Sequence, residues 1–152
     1  MKTRELARAA NLTLRPFIGP SQTAALSELC RGEERQHFFD KLCDLAALVE
    51  GMAKTYEQEG KGEQAIASLH YFTSGADWYI TERDTDTDGE GQQQAFGLAD
   101  LFGDGGELGY INLAEILENG GELDLHFAPV TLEVLREQRE HRAAAPRGWG
   151  EA

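Results

Sequence analysis

Apolar residues recur along the chain at two different periods, and the change from one to the other divides it. Between about Glu33 and about Glu57, Phe38, Leu42, Leu45, Val49, Met52 and Tyr56 fall alternately four and three residues apart, the spacing of one helix face. Phe39, Cys43, Ala46 and Ala53 widen that stripe beyond a coiled-coil seam, and Glu50 with Lys54 makes an i,i+4 pair on the wet side. The spacing predicts a long helix that covers a sheet. Ahead of it, Pro20-Ser21 supplies a helix start with Ser21 as the cap, Leu26 and Leu29 give a short apolar stripe, and Gly32 ends it.

After the break Glu59-Gly60-Lys61-Gly62 the period becomes two. Ile66 to Thr73 and Ala76 to Arg83 are rich in aromatic and branched residues and are separated by Ser74-Gly75, which predicts a hairpin. Ala76, Trp78 and Ile80 share one face of the second strand, and Tyr79 and Thr81 share the other. If only one face is covered, either Trp78 or Tyr79 is an exposed anchor for a partner; Tyr71 and Tyr110 extend the set of strand aromatics that normally supply a core. A polar loop from Asp84 to Gln94 precedes strands at Ala95 to Ala99 and Glu107 to Ile111, joined by a Gly-rich turn at Gly103 to Gly106. Asn112 with Glu115 makes a capping box for a short helix that ends near Asn119-Gly120-Gly121. Leu123, Leu125 and Phe127 alternate with Asp124 and His126 over a last strand, Glu122 to Phe127, and Thr131 to His141 reads as a closing helix.

This order predicts an α+β fold: amino-terminal helices, one of them long, packed on a mostly antiparallel sheet of about five strands, with a closing helix. Length favours one domain over residues 1–142, made of a helical part (1–62) and a sheet part (63–142), with 143–152 as a flexible tail. No apolar run approaches the roughly 18 residues that cross a bilayer. The opening MKTRELARAANL lacks a signal-peptide hydrophobic region, so a cytoplasmic location is expected. Cys30 and Cys43 read as reduced thiols on helices rather than as a disulfide.

Charge changes the picture most. Residues 1–62 carry nine Lys/Arg and nine Asp/Glu, residues 126–152 carry four of each, and residues 63–125 carry fourteen acids against Arg83 alone. The net charge of −13 is therefore that of the sheet segment. A one-signed surface repels DNA and anionic membranes and attracts basic proteins, including those that grip nucleic acid. Within the segment, Asp84, Asp86, Asp88 and Glu90 form a run expected to be mobile, suited to steering a partner, whereas Asp100, Asp104 and Glu107 near strand ends are the carboxylates expected to be rigid enough to mimic phosphates. Asp84 to Glu90 also matches the first half of a calcium loop, but position twelve is Ala95 and position eight Gly91, so no metal is expected. Gly103 to Gly109 places Leu108 where a dinucleotide fingerprint needs its third Gly, and it sets two carboxylates where a pyrophosphate would sit. His37, His70, His126 and His141 have no metal-ligand spacing, and no nucleophile stands beside a base, so neither cofactor nor catalytic residue is expected.

The ordered set Trp78-Tyr79-Ile80-Thr81-Glu82, Phe96-Gly97-Leu98 and Glu107-Leu108-Gly109-Tyr110, followed by Leu123-Asp124-Leu125-His126-Phe127, resembles a family of small domains of unknown function carried mainly by bacterial plasmids and other mobile elements. The resemblance covers the middle half of the chain, leaves the amino-terminal helices aside and implies no catalytic residue. It implies a context of anti-restriction, anti-CRISPR, replication or transfer functions. Charge and context together predict a non-enzymatic counter-defence inhibitor that binds a basic host protein or defence complex, not nucleic acid or membrane directly. The alternatives are a plasmid accessory or adaptor protein with no inhibitory role, and a metal-dependent binder or enzyme.

Overall fold

In the computed structural model, which describes residues 1–144, the elements follow the predicted order. Helix α1 (Arg4–Leu14) starts at Thr3, whose side chain accepts from the Leu6 N–H, and it buries Ala7, Ala10 and Leu14. The two alanines let it lie closely along α3. Helix α2 (Pro20–Leu29) begins with Pro20 in the first turn and Gly19 as its cap, two residues ahead of the expected Ser21.

Helix α3 (Arg35–Gly51) buries Phe39, Leu42, Leu45, Ala46 and Val49, close to the stripe the spacing defines, but it stops at Gly51, short of Glu57. Met52 is extended, and Ala53 to Thr55 join the end of β3 instead: the Arg83 N–H donates to the Ala53 carbonyl at 2.9 Å and the Thr55 N–H donates to the Arg83 carbonyl at 3.0 Å. Glycine at the helix end and a waiting strand outweigh the continuing apolar period. Lys54 therefore leaves Glu50, which accepts from the Thr13 hydroxyl instead, and Tyr56 is exposed rather than on the buried stripe.

The main sheet has the order β5-β4-β3-β2-β6, antiparallel throughout, from β2 (Leu69–Phe72), β3 (Asp77–Glu82), β4 (Ala95–Asp100), β5 (Glu107–Ile111) and β6 (Glu122–Leu123). The strand expected from Ile66 to Thr73 is broken at Ser68, so that β1 (Ile66–Ala67) pairs with β7 (Val130–Thr131) in a separate ladder. Helix α4 (Leu113–Glu118) follows β5, capped by the Asn112 side chain on the Glu115 N–H, and α5 (Leu132–Ala144) closes the fold. The expected tail thus loses 143 and 144 to α5, and the rest of it, 145–152, lies outside the described residues.

Both faces of the sheet are covered. Leu69, Tyr71, Ile80, Ala95, Ile111 and Leu123 pack under the amino-terminal helices, where Tyr71, fully buried, donates its hydroxyl to the Phe17 carbonyl at 2.6 Å. Tyr79 and Leu98 pack under Leu132 and Leu135 of α5. Trp78 is half-buried on the helix side and Tyr79 is 3% exposed, so the expectation that one of them stands free as an anchor is corrected. The strand expected through Phe127 ends at Leu123: the Asp124 N–H donates to the His70 carbonyl, the His126 N–H turns back onto the Asp124 carboxylate, and Phe127 swings to the α5 side against Tyr79. Cys30 and Cys43 are unpaired and half-buried. No helix among the described residues is long and apolar enough to cross a membrane.

Candidate functional site

The seven carboxylates singled out by charge fall at opposite ends of the sheet. Asp84, Asp86, Asp88 and Glu90 lie in the β3–β4 loop, and Asp100, Asp104 and Glu107 lie around the β4–β5 turn, with the six residues of β4 between them. Six strand residues span roughly 20 Å, so the two sets do not form one patch.

The far set is the weaker acidic surface. Asp100 is 1% exposed and paired with the Arg139 guanidinium, and it also accepts the Gly103 N–H at 2.7 Å. Arg139 donates as well to the Tyr79 hydroxyl at 2.7 Å and lies over its ring. Asp100 is therefore a buried cross-link between α5 and β4, which corrects its place among surface carboxylates. Its burial was missed because its partner is 39 residues away. Asp104 accepts the Gly106 N–H within the turn, and with Gly103 and Gly105 it shares a groove with Arg136, Arg139 and Arg142 of α5. Gly106 is required there: at φ +80° a Cβ would sit 2.6 Å from the Ala99 carbonyl oxygen. Glu107 is exposed on the edge strand.

The near set is folded onto itself rather than loose. The Asp84 carboxylate accepts the N–H groups of Asp86 (2.9 Å) and Gln94 (3.1 Å), Asp86 accepts Gly91 N–H (2.8 Å), and Asp88 accepts Glu90 N–H (3.1 Å). Beneath them Gln92, 2% exposed, exchanges two hydrogen bonds with the Asp84 backbone, and its carbonyl accepts the Ala114 N–H of α4. The oxygens that half a calcium loop would turn to an ion are turned to the loop's own amides. The bond to Ala114 draws the first turn of α4 alongside, so the exposed Glu115 and Glu118 join Asp88 and Glu90. Between Arg83 and Arg136 the sequence holds no Lys or Arg, so the bases beside this end are Arg83 at the root of the loop and Arg15, which shares a groove with Gly91, Gln92 and Glu118. The two helical glutamates were missed because their proximity to the loop depends on a bond from Gln92 that no local period encodes.

A second feature lies on the α5 side of the sheet, at the amino-terminal end of α5, whose Leu132 forms part of its wall. The segment Tyr56–Gly62 stands over β4 and β5 and encloses a cleft of about 410 Å³ with Phe96, Leu108 and Tyr110. Its floor is organised by Glu82, 6% exposed, which accepts the Tyr56 N–H at 2.8 Å and the Gln58 N–H at 2.9 Å. The Gln58 amide continues inward to the Ile66 and Thr81 carbonyls and accepts the Ile66 N–H. This anchoring holds Tyr56 at φ +71°, a left-handed conformation that costs a non-glycine residue about 1 kcal/mol or more. The Tyr56 ring is 62% exposed and its hydroxyl meets that of Tyr110 at 3.4 Å, while Tyr110 stands edge-on to Phe96. The bond to Tyr56, partial burial and the carboxylates Glu59 and Glu82 together raise the Tyr110 hydroxyl above its ordinary pKa. Sequence reading passed over this cleft because Tyr56 belonged, by period, to the buried stripe of α3.

At the other edge of the sheet, His70 is held between two carboxylates, Nε2 at 2.7 Å from Asp77 and Nδ1 at 3.0 Å from Asp124, and it stacks on Tyr79. Burial tends to raise the Asp124 pKa. Hydrogen bonds from His70 and from the His126 N–H, with the charges of both rings, outweigh it and leave Asp124 below its ordinary value. The stack on buried Tyr79 and the pairing of β2 with β3 and β6 explain this cluster as a brace for β2, β3 and the turn after β6. Among the described residues no group of three or more His, Cys, Asp or Glu is placed to hold a metal ion.

Residues 41–135 match a family model described as a protein of unknown function (DUF2958). The match spans more than half of the chain: it takes in most of α3, the whole sheet, the acidic loop with α4, and every residue lining the cleft, and leaves α1 and α2 outside. No curated protein and no solved structure matches the chain.

Proposed function

The chain belongs to the DUF2958 family, proteins of unknown function, and from that premise we propose that it is a non-enzymatic protein-binding inhibitor of counter-defence type, whose acidic end occupies a basic nucleic-acid-binding surface on a host restriction or CRISPR complex. The observation that carries the reading is the fixed acidic end: Asp88, Glu90, Glu115 and Glu118 are exposed on a loop and a helix tied together through Gln92, with no Lys or Arg in the intervening sequence. A mimic of a phosphate backbone needs carboxylates held in place before the partner arrives, because ordering them on contact would cost much of the gain. The self-bonded loop meets that need better than a mobile one. The β4–β5 end does not, since three arginines of α5 already face it.

Plating of phage, or transformation by plasmid, on hosts carrying a restriction or CRISPR system tests the reading directly. Expression of the chain is expected to raise the efficiency at least tenfold against one such system, and the variant D88N/E90Q/E115Q/E118Q is expected to lose that effect while folding normally. Binding to the affected complex should weaken steeply with salt, as contacts replacing phosphates do. No protection against any system, or full protection by the neutralised variant, would overturn it.

A further inference from the structure

The two outer edges of the main sheet are treated differently. At β6, the Gln22 side chain acts as a one-residue strand: its amide donates to the Leu123 carbonyl at 2.8 Å and its oxygen accepts the Leu123 N–H at 2.9 Å. At the opposite edge β5 pairs with β4 alone over five residues in unbroken register, with no proline and no bulge, and no side chain hydrogen-bonds its backbone among the described residues. A straight, open edge of this kind is a template for another strand, and proteins ordinarily blunt it. Here it is also sticky. Helix α5 covers Tyr79 and Leu98 but stops short of β5, leaving Leu108 43% and Tyr110 61% exposed at the mouth of the aromatic cleft.

We propose that the free edge of β5 is a peptide-binding site, to which an extended basic segment of a partner protein adds as a sixth strand, laying an apolar or aromatic side chain against Leu108 and Tyr110 at the cleft mouth. Strand addition supplies main-chain hydrogen bonds along Glu107–Ile111, and alternate side chains of the added strand fall on the cleft side, two residues apart. Charge selects the occupant. Glu59 and Glu82 line the cleft, Glu107 opens the strand, and no Lys, Arg or His lines the cleft among the described residues. A second copy would bring another net charge of −13 to the same edge, which like-charge repulsion opposes. The left-handed Tyr56, fixed by Glu82 with its ring turned outward, is strain held at the rim of this site, and a rim that binds nothing gives no return on it. The cleft adjoins the acidic end, since Glu82 and Phe96 flank the β3–β4 loop, but it uses other side chains than Asp88, Glu90, Glu115 and Glu118, so neutralising either set tests one reading without the other.

The test uses the full chain and a phage library of random ten-residue peptides. Panning is expected to enrich peptides with Lys or Arg and an aromatic or aliphatic residue at alternate positions. A labelled enriched peptide should bind the L108S/Y110S variant at least tenfold more weakly by fluorescence anisotropy, and E107K several-fold more weakly; all three positions are exposed, so the fold is retained, as far-UV circular dichroism will show. Its binding should slow amide hydrogen exchange at 107–111 at least tenfold, and N-methylation of alternate peptide amides should abolish it. Failure to enrich any peptide, enrichment without basic residues, unchanged binding by L108S/Y110S, protection confined to segments other than β5, or a β5-dependent dimer in sedimentation equilibrium would each overturn the proposal.

Discussion

Replacing Arg139 with Met should be the most damaging single change at the carboxyl-terminal helix, because it strands a carboxylate. Asp100 is 1% exposed and Arg139 18% exposed at the side chain, so most of the pair is out of water. After R139M the Asp100 carboxylate keeps only the Gly103 N–H, and Tyr79 loses both a hydrogen-bond donor and the guanidinium over its ring. Breaking one side of a buried pair costs about 3–5 kcal/mol. The residual exposure of Arg139 argues for the lower end, about 3 kcal/mol, which is a large share of the roughly 5–15 kcal/mol that stabilises a domain. For a chain of this length that corresponds to a fall in Tm of about 6–12 °C. Guanidinium and thermal unfolding at neutral pH measure it, with two controls. R136M breaks the exposed contact to Glu63, whose side chains are 33% and 50% exposed, and should cost no more than about 1 kcal/mol. D100N added to R139M should recover part of the loss, because the stranded charge is gone. If R139M costs no more than R136M, Asp100 is not a dry cross-link, and it would return to the surface carboxylates available to a partner.

Two further changes probe the sheet and its brace. G97A should cost more than about 3 kcal/mol, because a Cβ there would stand 2.0 Å from the Tyr79 carbonyl oxygen, whereas G109A on the paired strand meets nothing within 4 Å and should stay within about 1 kcal/mol of the parent; equal denaturation midpoints would refute the close approach of β4 to β3. For Asp124, whose pKa is depressed in the folded state, the sign of the linkage is that its contribution is complete above the ordinary value of 3.8 and fades as pH falls through the lower folded value. The stability difference between the parent and D124N should therefore hold steady from pH 7 to about 4 and shrink below that, and a difference that stays constant into stronger acid would count against the His70–Asp124 bond.

What could be read in the chain was what local spacing encodes. The stripe Leu42, Leu45, Val49 placed α3, alternation placed β3, the polar loop and the Gly-rich turn bracketed β4 and β5, and Asn112 ahead of Glu115 placed α4. What could not be read depends on partners far away in sequence. Tyr56 leaves the α3 stripe because Ala53 and Thr55 pair with Arg83, and the cleft exists because Glu82 reaches back 26 residues to the Tyr56 N–H. Phe127 changes sides because Asp124 is captured by His70. The charge of residues 63–125 was legible as a total, but not its division: Asp100 is spent inside, Asp104 faces arginines, and Glu115 and Glu118 join the loop acids only through Gln92.

The covering of both sheet faces also sets an order of events during synthesis. Helices α1 to α3 are already made when β2 and β3 emerge, so the face bearing Leu69, Tyr71 and Ile80 can be closed at once. The face bearing Tyr79, Leu98 and Asp100 must wait for Leu132 and the arginines of α5, some 30 to 60 residues later, which at about 5–20 residues per second is a delay of seconds. During that interval a nascent chain shows an uncovered tyrosine-leucine surface beside the unguarded β5 edge. Ribosome-bound chains stalled before Leu132 should accordingly be good clients for chaperones, and chains released there should self-associate.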